Sequence, residues 1–238
     1  MVEIGGFQRI SLMDYPGKIT SIIFLTGCNM LCPFCHNGSL VKRDYGSLHI
    51  YDEEEILGKL SDSRNFIEAV TITGGEPTLQ KDLETFLGKI KKTGLSVKLD
   101  TNGLNPYKVE DIIKNRLVDY VAMDIKTGIE NSKYAEATGL KGTSIVSKIT
   151  KSINIIINSG IMHEFRTTVV PGLVTPSDLI SISMAIRGAD SYYLQQFNPN
   201  KTLDHKLSSV KPYPKNILDN ACLEINRLGY VGHCEVRA

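Results

Sequence analysis

The sequence has almost no net charge: 27 Lys and Arg stand against 26 Asp and Glu, leaving +1. A nucleic-acid binder neutralises phosphates with a basic stripe, and none is present here, so no nucleic-acid partner is expected. The short run Lys89-Ile90-Lys91-Lys92 reads as the solvated end of a helix. Long apolar runs are also missing. No window approaches the ~18 consecutive apolar residues of a membrane span. Met1-Val2-Glu3 lacks a basic segment leading into an apolar stretch. A cytoplasmic protein with no membrane partner is therefore expected. Cysteine is scarce and odd in number: five in 238 residues, three of them between positions 28 and 35. Loops that tight suit a metal or cluster better than a disulfide framework. No linker, low-complexity stretch or repeat interrupts the chain, and one domain over 1–238 is expected.

What is present is alternation of strand and helix. Apolar, β-branched runs predict strands at 19–25, 69–73, 96–100, 119–123, 163–170, 191–197 and 230–236. Between them, Asp52 reads as the N-cap of a helix opening with Glu53, Glu54 and Glu55. Leu79, Leu83, Phe86, Leu87 and Ile90 form one helical face, stopped by Gly94. Ser144 precedes a helix carrying Ile145, Ile149, Ile153, Ile156 and Ile157 that ends by Gly160. Thr175-Pro176 starts another, and a last helix is expected near 214–228. Roughly six β/α units in succession argue for a parallel α/β sheet, and six are too few for the closed eight-unit barrel. An open, partial barrel follows. The polar and Gly-rich segments come after the strands, where parallel α/β folds build active sites: Gly27-Cys28, Gly74-Gly75-Glu76, Asp100-Thr101-Asn102-Gly103, Asp124-Ile125-Lys126 and Gln195 to Asn198.

The densest chemistry is Cys28-x-x-x-Cys32-x-x-Cys35. Three thiolates in one short loop can wrap one metal centre. A structural zinc would need a fourth ligand, for which His36 is the local candidate. Iron–sulfur clusters are normally held by four cysteines, and three ligands on a cubane leave one iron open to bind a substrate. The two remaining cysteines, Cys222 on a helical stripe and Cys234 on a strand face, read as buried inert thiols. Being only two, they argue against an auxiliary cluster.

The cysteine motif followed about forty residues later by Gly74-Gly75-Glu76-Pro77 resembles the radical S-adenosylmethionine (SAM) superfamily. Asp14-Tyr15-Pro16-Gly17 and the segment Gly27 to Asn37 resemble the activating enzymes of glycyl-radical proteins. The likeness is strongest to those of anaerobic ribonucleoside-triphosphate reductase, with the pyruvate formate-lyase type close behind. Asp100 to Gly103, Asp124 to Lys126, and Arg166 through Pro171-Gly172 fall in the family's order. The resemblance implies a partial (β/α)6 barrel and a [4Fe–4S] cluster on Cys28, Cys32 and Cys35 whose open iron binds SAM. It further implies reductive cleavage of SAM to methionine and a 5′-deoxyadenosyl radical, which takes hydrogen from a glycine of a partner enzyme. Flavodoxin or ferredoxin would donate the electron.

For individual residues, the resemblance puts the Gly74-Gly75-Glu76 edge on the SAM amino group, where a carboxylate suits an ammonium. Thr101 and Asn102 would reach the ribose or amino-acid part, although Asp-Thr-Asn-Gly is also ordinary turn chemistry. Lys126 and Arg166 would steady the SAM carboxylate or the substrate backbone, against the alternative of a structural ion pair. Asp100 and Asp124 match acids that hold a monovalent cation in the pyruvate formate-lyase type, and a salt bridge to Lys126 explains Asp124 as well. Asn198 departs from that type, which carries a His there; an amide hydrogen-bonds but does not titrate near neutral pH. Two other readings remain: a radical SAM enzyme acting on a small molecule, peptide or RNA, and a non-enzymatic iron–sulfur electron-transfer protein.

Overall fold

A computed structural model describes residues 1–237, and the chain divides into two compact units. The first comprises Met1–Asn29, Asn37–Thr101 and Tyr107–Val121. The second comprises Met30–His36, Asn102–Pro106 and the chain from Ala122 onward.

The first unit opens with β1 (Ile4–Ser11), antiparallel to β2 (Thr20–Leu25). It continues through α1 (Gly38–Lys42), α2 (Glu53–Ser63), β3 (Ala69–Gly74), α3 (Leu83–Lys91) and β4 (Ser96–Thr101). α4 (Pro106–Lys114) lies almost wholly within it, and β5 (Tyr120–Asp124) runs from the first unit into the second. The second unit holds α5 (Asn131–Thr138), α6 (Ile145–Asn158), β6 (Met162–Val169), α7 (Pro176–Ala185), β7 (Ser191–Gln196), α8 (Lys215–Leu228) and β8 (Cys234–Arg237). Strand order is chain order within each unit, β1 to β4 in the first and β6 to β8 in the second. From β2 through β7 every strand is followed by at least one helix, which is the six-fold β/α succession expected from the sequence.

Within the first unit β2 pairs in parallel with β3, Thr20 opposite Ala69 and Leu25 opposite Gly74, and β3 pairs in parallel with β4. Parallel strands covered on both faces read as apolar runs rather than alternations, and Ile23, Leu25, Val70 and Ile72 are fully buried. The hydroxyls caught among them have partners: Thr20 Oγ1 lies 3.2 Å from Thr71 Oγ1, and Ser21 donates to the Arg9 carbonyl at 2.6 Å. α2 is capped as expected, Asp52 accepting from the Glu54 and Glu55 amides at 2.9 and 3.0 Å. α3 buries Leu83, Phe86, Leu87 and Ile90 completely, each such side chain stabilising by about 1.5–3 kcal/mol relative to exposure.

In the second unit β6 pairs in parallel with β7, and β7 with β8. α6 turns Ile145, Ile149, Ile153 and Ile156 inward. α7 begins with the full capping box of Thr175 and Asp178, with Pro176 in its first turn. No helix among the described residues is long and apolar enough to cross a membrane.

Several elements differ from expectation. Leu79 is not on α3: Pro77–Leu79 form a separate 3₁₀ turn, set by Glu76 accepting from the Thr78 amide, and Leu79 is exposed. The final strand starts at Cys234 rather than 230, because Gly232 packs against the turn at Ala189-Asp190, donating its amide to the Ala189 carbonyl. A Cβ at Gly232 would lie 2.7 Å from the Asp190 carbonyl oxygen. β1 was not expected at all. Its glycines admit neighbours: a Cβ at Gly5 would come within 2.6 Å of Leu40 on α1.

Candidate cluster and cofactor site

The strand ends of the first unit are knitted by close backbone contact. Gly27, at φ +79°, donates to the Leu40 carbonyl at 2.8 Å, and its own carbonyl accepts the Glu76 amide at 2.8 Å. A Cβ on Gly75 would fall 1.9 Å from the Gly27 oxygen, and one on Gly74 only 2.3 Å from the Leu25 oxygen. The glycines after β3 are thus required by the approach of the chain leaving β2, just before Cys28. The Gly74 carbonyl accepts from the Asn37 side chain at 3.0 Å.

Glu76 is buried, and its Oε1 accepts from the Thr78 amide, from Thr78 Oγ1 at 2.5 Å and from Thr101 Oγ1 at 2.8 Å. Two residues expected at the site, Glu76 and Thr101, are therefore in contact, joining the ends of β3 and β4. Asp100, on β4, is 3.0 Å from the ammonium of Lys98, a lysine buried to 2% exposure.

In the second unit the segment carrying Cys32 and Cys35 folds as a turn, the Cys35 amide donating to the Cys32 carbonyl at 3.0 Å. Cys32 is buried and Cys35 half-buried. The loop is tied down at three points: the Leu31 amide to the Thr138 carbonyl (2.8 Å), the Asp204 amide to the Pro33 carbonyl (2.9 Å), and His36 Nε2 to the Asn198 carbonyl (3.3 Å). It is the backbone of Asn198 that meets this loop. The Asn198 side chain, exposed, accepts from the Asn200 amide at 3.0 Å. Asn102 is buried, and its Oδ1 accepts the Leu104 amide at 3.0 Å, the turn chemistry its neighbours suggested.

Asp124, Lys126 and Arg166 form a compact ionic group. Asp124 accepts from Arg166 Nε and from Lys126 Nζ, both at 2.9 Å. Burial alone would raise the Asp124 carboxyl, but the guanidinium and ammonium outweigh it and hold it well below the usual carboxylate range. Burial would likewise lower Lys126. Asp124, with Cys32 and Cys35, overcomes that and holds the ammonium above its ordinary value. Tyr134 completes the surroundings, its hydroxyl oxygen accepting the Lys126 amide at 3.2 Å.

Sequence reasoning did not single out Glu164 or Arg237. Glu164 is fully buried, takes two guanidinium contacts from Arg237 at 3.2 and 3.1 Å, and lies 3.8 Å from Arg166. Arg237 stacks 3.2 Å over the Tyr193 ring. The two-residue spacing of Glu164 and Arg166 along one strand face was the available signal.

Among the described residues no three or more His, Cys, Asp or Glu side chains are gathered closely enough to hold a single metal ion. Each ligand of a cluster sits on its own iron, so single-ion spacing is not what a cluster asks of its thiolates. The donors fit a cluster chemically: three thiols in one loop, two of them beside Lys126.

Residues 22–182 match the Radical SAM superfamily. The chain belongs to that superfamily. A Methanocaldococcus jannaschii protein provisionally named a glycyl-radical enzyme activating enzyme is 35% identical over 240 residues, covering 98% of this chain and 95% of the relative. The pyruvate formate-lyase-activating enzyme of Clostridium pasteurianum is 29% identical over 231 residues, 90% of this chain and 93% of its own. This radical SAM protein is thus an enzyme of the glycyl-radical activating type. Among solved structures, Streptococcus suis SuiB bound to the precursor peptide SuiA superposes with a TM-score of 0.70 at 13% identity over 91% of this chain. This chain spans about half of that one, 48%. The likeness shows the fold: the expected α/β partial barrel of the radical SAM type stands.

Proposed function

We propose that this radical SAM enzyme installs a glycyl radical on a partner enzyme of the anaerobic ribonucleotide reductase type. The observation that carries the reading is the three-cysteine loop with the Lys126 ammonium beside Cys32 and Cys35. The names of the relatives supply the substrate class. In this reading Cys28, Cys32 and Cys35 give three thiolates to a [4Fe–4S] cluster within one catalytic domain over 1–238. When bound, the reduced cluster supplies the electron that splits SAM into methionine and a 5′-deoxyadenosyl radical able to take the glycine Cα hydrogen.

The chain's own groups bind and orient. Lys126 sets a positive charge beside the cysteine loop while Asp124 fixes its position. Arg166, held at Nε by Asp124, brings a planar guanidinium suited to a carboxylate. Gly74, Gly75 and Glu76 present backbone and charge to the SAM ammonium. Thr101, Asn102 and Asn198 serve its ribose and amino-acid parts. Asp100 and Asp124 are committed to Lys98, Lys126 and Arg166, so a monovalent cation near them would have to share those carboxylates. Flavodoxin or ferredoxin supplies the electron. A reducing cytoplasm suits a chain whose five cysteines are all free thiols.

The test is anaerobic reconstitution with iron and sulfide, reduction, addition of SAM and chromatography for 5′-deoxyadenosine, with Cys32→Ala as control. Product from wild type alone, followed by a glycyl-radical EPR signal on a candidate partner, is the expected result. Iron uptake without SAM binding or cleavage would move the protein to the electron-transfer reading. Cleavage with no glycyl radical on any partner would move it to a small-molecule, peptide or RNA substrate.

A further inference from the structure

The two cysteines outside the motif are not separate core thiols. Cys222 on α8 and Cys234 on β8 meet sulfur to sulfur at 2.8 Å, both buried, with 6% and 2% exposure. Asn226, one helical turn beyond Cys222, brackets the backbone of Cys234: its Nδ2 donates to the Cys234 carbonyl at 2.9 Å and its Oδ1 accepts the Cys234 amide at 2.7 Å. On the other side β8 is paired with β7, Tyr192 opposite Cys234. Helix and strand are thus clamped together where the thiols touch, giving the pair a high effective concentration.

We propose that Cys222 and Cys234 are an oxidative modification site, forming a reversible disulfide that fastens β8 to α8 independently of the three motif cysteines. The oxidant is a small peroxide, able to enter a site closed to bulky reagents. One thiolate attacks a peroxide oxygen; the O–O bond breaks, and the departing hydroxide takes a proton to leave as water. The second thiolate attacks the resulting sulfenic acid; the S–S bond forms, the S–O bond breaks and a second water leaves. Two thiols and one hydrogen peroxide become one disulfide and two waters, the two sulfur electrons reducing the peroxide. The hydrogen bond with Cys222, and after it burial, push the Cys234 thiol up. Arg237, three residues beyond Cys234, holds Glu164, so the bond would secure the strand that carries this contact.

The test treats the full chain with a few equivalents of hydrogen peroxide, alkylates remaining thiols under denaturing conditions and digests with trypsin. The expected product joins peptide 216–227 to peptide 228–237, two hydrogens lighter than the pair and separated again by dithiothreitol. The linked protein should melt several degrees higher. Cys222→Ser and Cys234→Ser should each abolish both effects, and Asn226→Ala should cut the linked fraction severalfold at the same peroxide dose. Should a serine variant fail to fold, reversal of the wild-type bond by dithiothreitol stands on its own. Recovery of both cysteines alkylated while motif cysteines oxidise, a cross-link to a motif cysteine, or a linked form that melts no higher would each overturn the proposal.

Discussion

Replacing Asp124 by Asn keeps the shape of the side chain and removes the charge on which Arg166 and Lys126 converge. The three side chains are 26%, 12% and 18% exposed, so solvent screens them only in part. Removing one partner of a buried pair costs about 3–5 kcal/mol. Discounted for the residual exposure, the loss here should be about 2–4 kcal/mol, because two cations are left facing one another. In a chain of this size each kcal/mol lowers Tm by roughly 2–4 °C, so the cluster-free variant should melt about 5–15 °C below wild type. The folded Asp124 pKa lies below its unfolded value of about 3.9. Its contribution is therefore fully present above that pH and is lost as pH falls through the folded value. Lys126 is raised in the folded state, so its share persists up to its unfolded value near 10.4 and is lost only as pH rises through the folded one. The Tm gap between variant and wild type should then be level from pH 5 to pH 9 and shrink below pH 4. Anaerobic melts followed by circular dichroism at several pH values measure this. A gap under 2 °C at pH 7, or one that widens in acid, would refute the ionic argument.

Other outcomes follow from the same geometry. Glu164→Gln should lower Tm, since the fully buried carboxylate that holds Arg237 and neighbours Arg166 is lost; a double-mutant cycle with Arg237→Gln should return a coupling of about 1 kcal/mol or more. Gly75→Ala places a methyl carbon 1.9 Å from the Gly27 oxygen and should destabilise by at least about 1–3 kcal/mol, read by urea denaturation. Thr101→Val removes the hydrogen bond to the Glu76 carboxylate and should cost about 1.5–3 kcal/mol; an unchanged urea midpoint would show the bond to be dispensable. Cys35→Ser should retain the thermal stability of the cluster-free chain while losing most iron after reconstitution, measured by metal analysis.

The strands and helices that carry strong patterns were legible in the sequence because their residues are buried on a fixed period. α6 shows its isoleucine stripe, and β2 and β3 show short buried runs rich in β-branched residues, apolar side chains mixed with Thr and Ser. β1 was not legible. Its Gly5-Gly6 and exposed Gln8-Arg9-Ile10 break any alternation, since its register with β2 shifts between Ile4 and Gly6 and again between Gln8 and Ser11. Its place comes from pairing with β2, which no local pattern announces. α5 was missed for a similar reason, having few apolar residues and no side-chain cap at Glu130.

The candidate site was legible as chemistry and much less so as mechanics. Cysteine spacing marks candidate ligands whatever the fold does with them, and Asp124 with Lys126 could be guessed as a pair. The reason for the glycines could not. Gly74 and Gly75 suggest a backbone kept bare for a cofactor, whereas the contacts nearest their missing Cβ atoms are Leu25 and Gly27 of the neighbouring strand and its exit. Glu76, an attractive partner for an ammonium, already binds Thr78 and Thr101 through one oxygen. Both cases turn on contacts between segments 25 to 50 residues apart. The first duty of these strand ends is to hold one another in place. A cofactor bound there would meet groups whose positions the protein has already fixed, which is preorganisation.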